Sequence, residues 1–164
     1  MKKFEKIDPL TVKQDPRVVA DIQDDRKPHR HYYFLIDQEY VILANTTWKE
    51  MKQKWLHYQI EFPKQGLLWF LDSLLNKFTK TEAEGGLPKN SFSDTTEVNG
   101  ERLKLRRAFG ADDNGGAGYS FITLDRKDRL SFAEKYTFTD TFIFENGLLE
   151  VMQDVPKRIE SGEL

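Results

Sequence analysis

The sequence predicts an α+β fold: a largely antiparallel β-sheet covered on one face by a long amphipathic helix, with one short helix beside it. Three observations predict it. Leu67, Leu68, Leu71, Leu74, Leu75 and Phe78 recur at helical spacing after Pro63, with Asp72, Ser73, Asn76 and Lys77 on the opposite face. On both sides of that segment lie short runs rich in Tyr, Phe, Ile and Val. Clusters of Gly, Asn and Asp separate the runs at hairpin intervals.

Residues 1–28 carry dense charge and three prolines, Pro9, Pro16 and Pro28, around one short apolar patch at Val18-Val19-Ala20. They read as a charged N-terminal arm. Tyr32–Ile36 and Tyr40–Ala44 read as a hairpin joined by Asp37-Gln38-Glu39. Thr47 and Glu50 have capping-box spacing, and Trp48, Met51 and Trp55 follow at i, i+3 and i+7. A short helix over about 48–56 is expected. Tyr58, Ile60 and Phe62 alternate as a strand that Pro63 ends, and the long helix begins there.

Residues 79–100 are rich in Thr, Ser, Glu, Gly and Asn, longer than ordinary connections in a compact domain, and read as a mobile functional loop or as a separator of two subdomains. A meander over 101–109, 119–125, 129–138 and 141–144 follows. Leu148–Met152 fits either a last strand or a helical turn, and 156–164 reads as a tail. The expected organisation is one α+β domain over 29–155. Tyr32-Tyr33-Phe34-Leu35 echoes Tyr119-Ser120-Phe121-Ile122, each before an Asp turn, which raises a duplicated sheet unit as an alternative to chance.

Composition narrows the function classes. The 164 residues are 38% hydrophobic and 13% aromatic, which is globular rather than disordered. A net charge of −2 gives no global attraction for nucleic acid or anionic lipid. Zero cysteines exclude disulfides and thiol chemistry and fit a reducing compartment. With no apolar run of signal or membrane-span length, the chain reads as soluble and cytoplasmic, with no membrane partner.

The basic strand is the most suggestive local feature. Arg102, Lys104 and Arg106 alternate with Leu103 and Leu105, which puts the three cations on one face. Arg126, Lys127 and Arg129 belong to a later turn that can lie at the same end of the sheet. A cationic face with aromatic groups suits single strands, because charge tracks phosphates and rings stack on bases. Trp69, off the apolar stripe of its helix, is a candidate partner-facing anchor. The bland alternative is an ordinary solvated sheet face.

Other constellations are thinner. His29 and His31 share a face at strand spacing, with His57, Asp37 or Glu39 as further donors, but no carboxylate spacing supports a metal site. The Gly-rich segment 110–118 lacks the Lys and following helix of a phosphate loop, and Asp112 and Asp113 would repel phosphate. No metal or cofactor is expected. No G-x-S-x-G, H-E-x-x-H or Cys nucleophile occurs. Glu134 shares the apolar parity of its strand with Leu130, Phe132, Tyr136 and Phe138, where a carboxylate must be paired or have a raised pKa.

A sheet with one covering helix and a basic, aromatic outer face resembles the PUR-alpha and Whirly families of single-strand binders. The likeness covers residues 101–138 and the Leu67–Phe78 helix and implies single-strand binding. No family motif is matched residue by residue, and the helix expected near Trp48 departs from the layout, so no site residue is carried over.

The expected function is a non-catalytic binding module that contacts its ligand through Arg102, Lys104, Arg106, Arg126, Lys127 and Arg129, with Trp69 as anchor. A single-stranded nucleic-acid binder is one rival. A small enzyme or small-molecule binder is the other, using Glu134 and His57 in a cleft under the 79–100 loop. Homodimerisation through the helix or an open sheet edge is also open.

Overall fold

The computed structural model describes residues 1–112 and 114–164. It contains two four-stranded antiparallel sheets, each followed by a helix, where the sequence reading expected one sheet. The first sheet holds β1 (Val18–Gln23), β2 (Arg30–Asp37), β3 (Tyr40–Lys49) and β4 (Lys54–Pro63) in that spatial order. Helix α1 (Lys64–Ser73) follows and runs on into a π-helical turn, Leu74–Phe78. The second sheet holds β5 (Ser93–Val98), β6 (Glu101–Ala108), β7 (Gly118–Lys127) and β8 (Ala133–Thr139). A π-helical turn, Thr141–Glu145, leads to helix α2 (Leu148–Glu160).

The chain therefore repeats one unit, a four-strand meander and then a helix. Every strand pairs only with its sequence neighbours, and α1 interrupts the pairing between β4 and β5. The echo between residues 32–35 and 119–122 does not mark this repeat. Those segments lie on β2 and β7, the second strand of one unit and the third of the other.

The inner faces of both sheets close on a single core. Tyr32, Phe34, Leu43, Ile60 and Phe62 of the first sheet meet Leu103, Leu105, Phe121, Tyr136 and Phe138 of the second. Helix α1 adds Leu67, Phe70 and Leu74, and α2 adds Leu148, Met152, Val155 and Ile159. Aromatic rings join the layers in tilted and edge-to-face pairs, such as Phe70–Phe121 at 5.1 Å and Tyr32–Phe138 at 5.3 Å.

The outer face of the first sheet is a second apolar layer. Tyr33, Leu35, Ile42 and Ala44 point there and pack against Phe4, Ile7 and Val12 of the N-terminal segment. This explains why β2 and β3 read as nearly continuous apolar runs: both of their faces are covered. Residues 1–28, expected as a loose arm, thus contain edge strand β1 and a segment docked on the sheet. The Gln59 side chain fastens that segment, accepting from the Ile7 amide at 2.9 Å and donating to the Glu5 carbonyl at 3.1 Å.

Four further expectations are corrected. No helix covers 48–56: β3 runs to Lys49, and a 3-10 turn at Glu50–Lys52 leads into β4. Trp48 and Trp55 are cross-strand partners with rings 5.5 Å apart, so their spacing of seven reports a hairpin rather than a helix face. The range 79–100 contains β5, joined to β6 by Asn99-Gly100 with both residues at positive φ, the Asn-Gly pair that tight hairpins favour. The fourth meander strand, expected at 141–144, is a π-helical turn. The expected tail from Pro156 lies largely in α2, which buries Pro156 and Ile159. Asp113, expected with Asp112 to repel phosphate, lies outside the described residues. No helix among the described residues is long and apolar enough to cross a membrane.

Candidate functional site

Alternation along β6 sends Leu103 and Leu105 to the core and Arg102, Lys104 and Arg106 to the outer face of the second sheet. The register extends this face across three strands. Lys104 pairs with Ile122 and Ile122 with Lys135; Arg106 pairs with Ser120 and Ser120 with Thr137. Two adjacent rows therefore carry Lys104, Lys135 and Arg106 around Ile122, Ser120 and Thr137. Ser120 and Thr137 hydroxyls hydrogen-bond each other at 2.7 Å, and the long cationic stems flanking Ile122 leave it 4% exposed.

Among the described residues, Lys104, Arg106 and Lys135 form no ion pair, whereas neighbouring arginines do. Arg102 is held by Asp125 at 2.7 Å, and Arg107, which points the other way, by Asp140 at 2.6 Å. A groove of about 440 Å³ at one end of the face is lined by Arg106, Ser120, Lys135 and Thr137 and bounded by Phe92 and Phe109. These two rings meet edge to face at 5.2 Å and are 52% and 65% exposed. Uncommitted positive charge beside open aromatic surface is an arrangement for anions attached to flat rings.

The remaining expected contact residues divide. Arg126 is not a surface cation. Its guanidinium is buried, donates to Glu101 at 2.8 Å and to the Lys2 carbonyl at 2.7 Å, and lies 5.4 Å from the Phe4 ring centroid. Lys127 and Arg129 are exposed at the end of β7, around a different cavity from the Arg106 groove. Trp69 is half-buried on α1 against Phe70, with rings 5.1 Å apart, and is not brought to the cationic face. Sequence reasoning missed Lys135, Phe92 and Phe109. The alternation of β8 marks Lys135 as outward; Phe92 and Phe109 flank β5 and β6, and no local pattern announces that they meet.

The small-molecule alternative also moves. Glu134 and His57 share a cavity of about 480 Å³, set between β4, the end of β7, β8 and the N-terminal segment, not under residues 79–100. One Glu134 carboxylate oxygen, Oε2, is buried without a hydrogen-bond partner. Burial first, and then the nearby Glu61 charge, push the Glu134 pKa up to about 7. Burial likewise raises Glu61, although its carboxylate accepts from Gln59 Nε2 at 2.8 Å. His57 is held below its ordinary value by burial and then by Lys6.

No group of His, Asp and Glu among the described residues is arranged to hold a metal ion. His31 instead hydrogen-bonds Asp21 at 2.7 Å and Gln23 at 3.2 Å. No protein-family model, curated protein or solved structure matches the chain.

Proposed function

We propose that this protein is a non-catalytic binding module whose ligand is a single-stranded nucleic acid, held on the outer face of the second sheet. One observation carries the reading: the two repeated units treat their outer faces oppositely. The first is apolar over β2 and β3 and covered there by the chain's own N-terminal segment. The second is open and polar, and bears Lys104, Arg106 and Lys135 without acidic partners among the described residues. Maintaining like charges near one another on a sheet is unfavourable unless an anion neutralises them. Phe92 and Phe109 at the end of the face offer stacking surface, which accepts any base. A single strand supplies both phosphates and unstacked bases, whereas a duplex hides its base faces.

The test is fluorescence anisotropy of a dye-labelled, mixed-sequence single-stranded oligonucleotide at low and physiological salt. Saturable binding that weakens with salt is expected, and Lys104→Glu with Arg106→Glu should weaken it at least about tenfold. Absence of binding at low salt, or indifference to the double change, would sink the proposal.

A further inference from the structure

The cavity around Glu134 has an acidic floor and a cationic rim. Glu134 and Glu61 line it from β8 and β4, while Lys6, Lys127 and Arg129 line it from the N-terminal segment and the end of β7. Among the described residues, none of these three cations forms an ion pair. The other charged or titratable lining groups are His57, Tyr58 and Asp128. Two of them are already engaged: Asp128 accepts from the Leu130 and Phe132 amides, and the Tyr58 hydroxyl accepts from the Lys135 amide at 3.0 Å. Glu134 is engaged by nothing, and its buried oxygen lacks a donor.

A buried carboxyl oxygen without a donor is costly. With Glu61, whose carboxylate accepts only from Gln59 among the described residues, lining the same space, it favours a ligand that brings N–H groups to both. A simple cation would meet the positive rim. The ligand must therefore carry N–H donors at one end and negative charge at the other. A volume of about 480 Å³ lies within the range of small-ligand sites.

The geometry points to a nucleotide site: a base bearing an exocyclic amino group lies on Glu134 and Glu61, and its phosphate lies at Lys6, Lys127 and Arg129. The amino group has two N–H bonds, one for each carboxyl. Thymine presents a carbonyl oxygen in its place, which both carboxyls repel when ionised. The Phe4 ring adds an apolar wall. The choice of a nucleotide among amine-and-anion ligands rests on the nucleic-acid reading of the second sheet. The same chemistry is available from a free nucleotide or from an unstacked base of a bound strand. Lys135 on the cationic face and Glu134 in the cavity are adjacent residues of edge strand β8 and project to opposite faces of the sheet, so a strand that reaches both must pass around that edge.

The experiment titrates deoxycytidine 5′-monophosphate, its thymidine counterpart and inorganic phosphate into the intact protein at pH 8, read by amide NMR shifts. The cytidine nucleotide should give saturable shifts at Glu134, His57 and Lys127 and leave Lys104 and Arg106 unmoved. Thymidine monophosphate should bind at least about fivefold more weakly, and phosphate more weakly still. Glu134→Leu should remove the base preference, and Lys127→Glu with Arg129→Glu, both at exposed positions, should weaken all three ligands. Equal binding of the two nucleotides or of phosphate, absence of saturable shifts, or binding unchanged in both variants would overturn the site. Competition against a labelled oligonucleotide separates the sources. Displacement by the free nucleotide places a strand base in the cavity, and binding without displacement assigns it to free nucleotides. In the Lys104→Glu, Arg106→Glu protein nucleotide binding should persist, so failure of the sheet-face reading is distinguishable from failure of this one.

Discussion

At the scale of single residues, a half-buried carboxyl and a buried ion pair have opposite consequences. Glu134 is folded into surroundings that favour its neutral form, with its pKa raised to about 7 from an ordinary value of 4.5. A carboxyl raised on folding binds its proton more tightly in the native than in the unfolded state. Its contribution therefore turns unfavourable as pH climbs from about 4.5 to about 7, and is constant above. Glu134→Gln should flatten stability across that window and raise Tm at pH 8 by roughly 2–4 °C. That corresponds to about 1 kcal/mol once solvent screening of a partly exposed group is allowed for. Thermal unfolding followed by circular dichroism at pH 5, 6, 7 and 8 measures it. Arg126 and Glu101, only 9% and 5% exposed, form a pair whose partners depend on each other. Arg126→Ala leaves Glu101 buried and unpaired and should cost about 3–5 kcal/mol in urea unfolding. The double change Arg126→Met with Glu101→Leu should cost markedly less.

At the scale of elements, the N-terminal segment acts as a cover for the first sheet. Ile7 is 4% exposed and Val12 2% exposed, against Leu35 and Ile42, each at 0%. Ile7→Ala should cost about 2–4 kcal/mol, and deleting residues 1–16 should expose enough apolar sheet to bind a hydrophobic dye. Strand β7 opens on Gly118 opposite Thr139, where an added Cβ would run into the Phe138 carbonyl oxygen. Gly118→Ala should therefore destabilise by about 1–3 kcal/mol, since the obstacle is backbone and cannot rotate away. Legibility at this scale followed periodicity. Helix α1 was readable from its leucines and β6 from its alternation of Leu with basic residues. Strand β5 was hidden because Ser93–Val98 is a polar edge strand with little to bury, although Asn99-Gly100 announced its turn. The Trp48 hairpin imitated a helix because residues seven apart adjoin both on a helix face and across this tight turn.

At the scale of the whole molecule, the repeated unit places around a shared core one sheet partly covered by the N-terminal segment and one whose outer face has no such cover among the described residues. If Lys104, Arg106 and Lys135 each neutralise a phosphate, log affinity should fall with log salt at a slope near −2, and Lys135→Ala should reduce that slope by about 0.7. A slope near zero would assign binding to a dry pocket instead. The sequence by itself determined which segments become strands and helices wherever apolar residues recur with a clear period, and which side of β6 carries charge, because both follow from local geometry. It could not determine that the strands divide into two sheets, that Phe4 and Ile7 cover one of them, or that Arg126 turns inward. Nor could it bring Glu134 and His57 to one cavity. Those outcomes depend on contacts between residues distant in the chain, such as the Gln59 bond to Ile7 and the Arg126 pairing with Glu101. Hydrophobic burial is indifferent to sequence separation, so only the closed tertiary structure decides which face finds a cover and which stays open to a ligand.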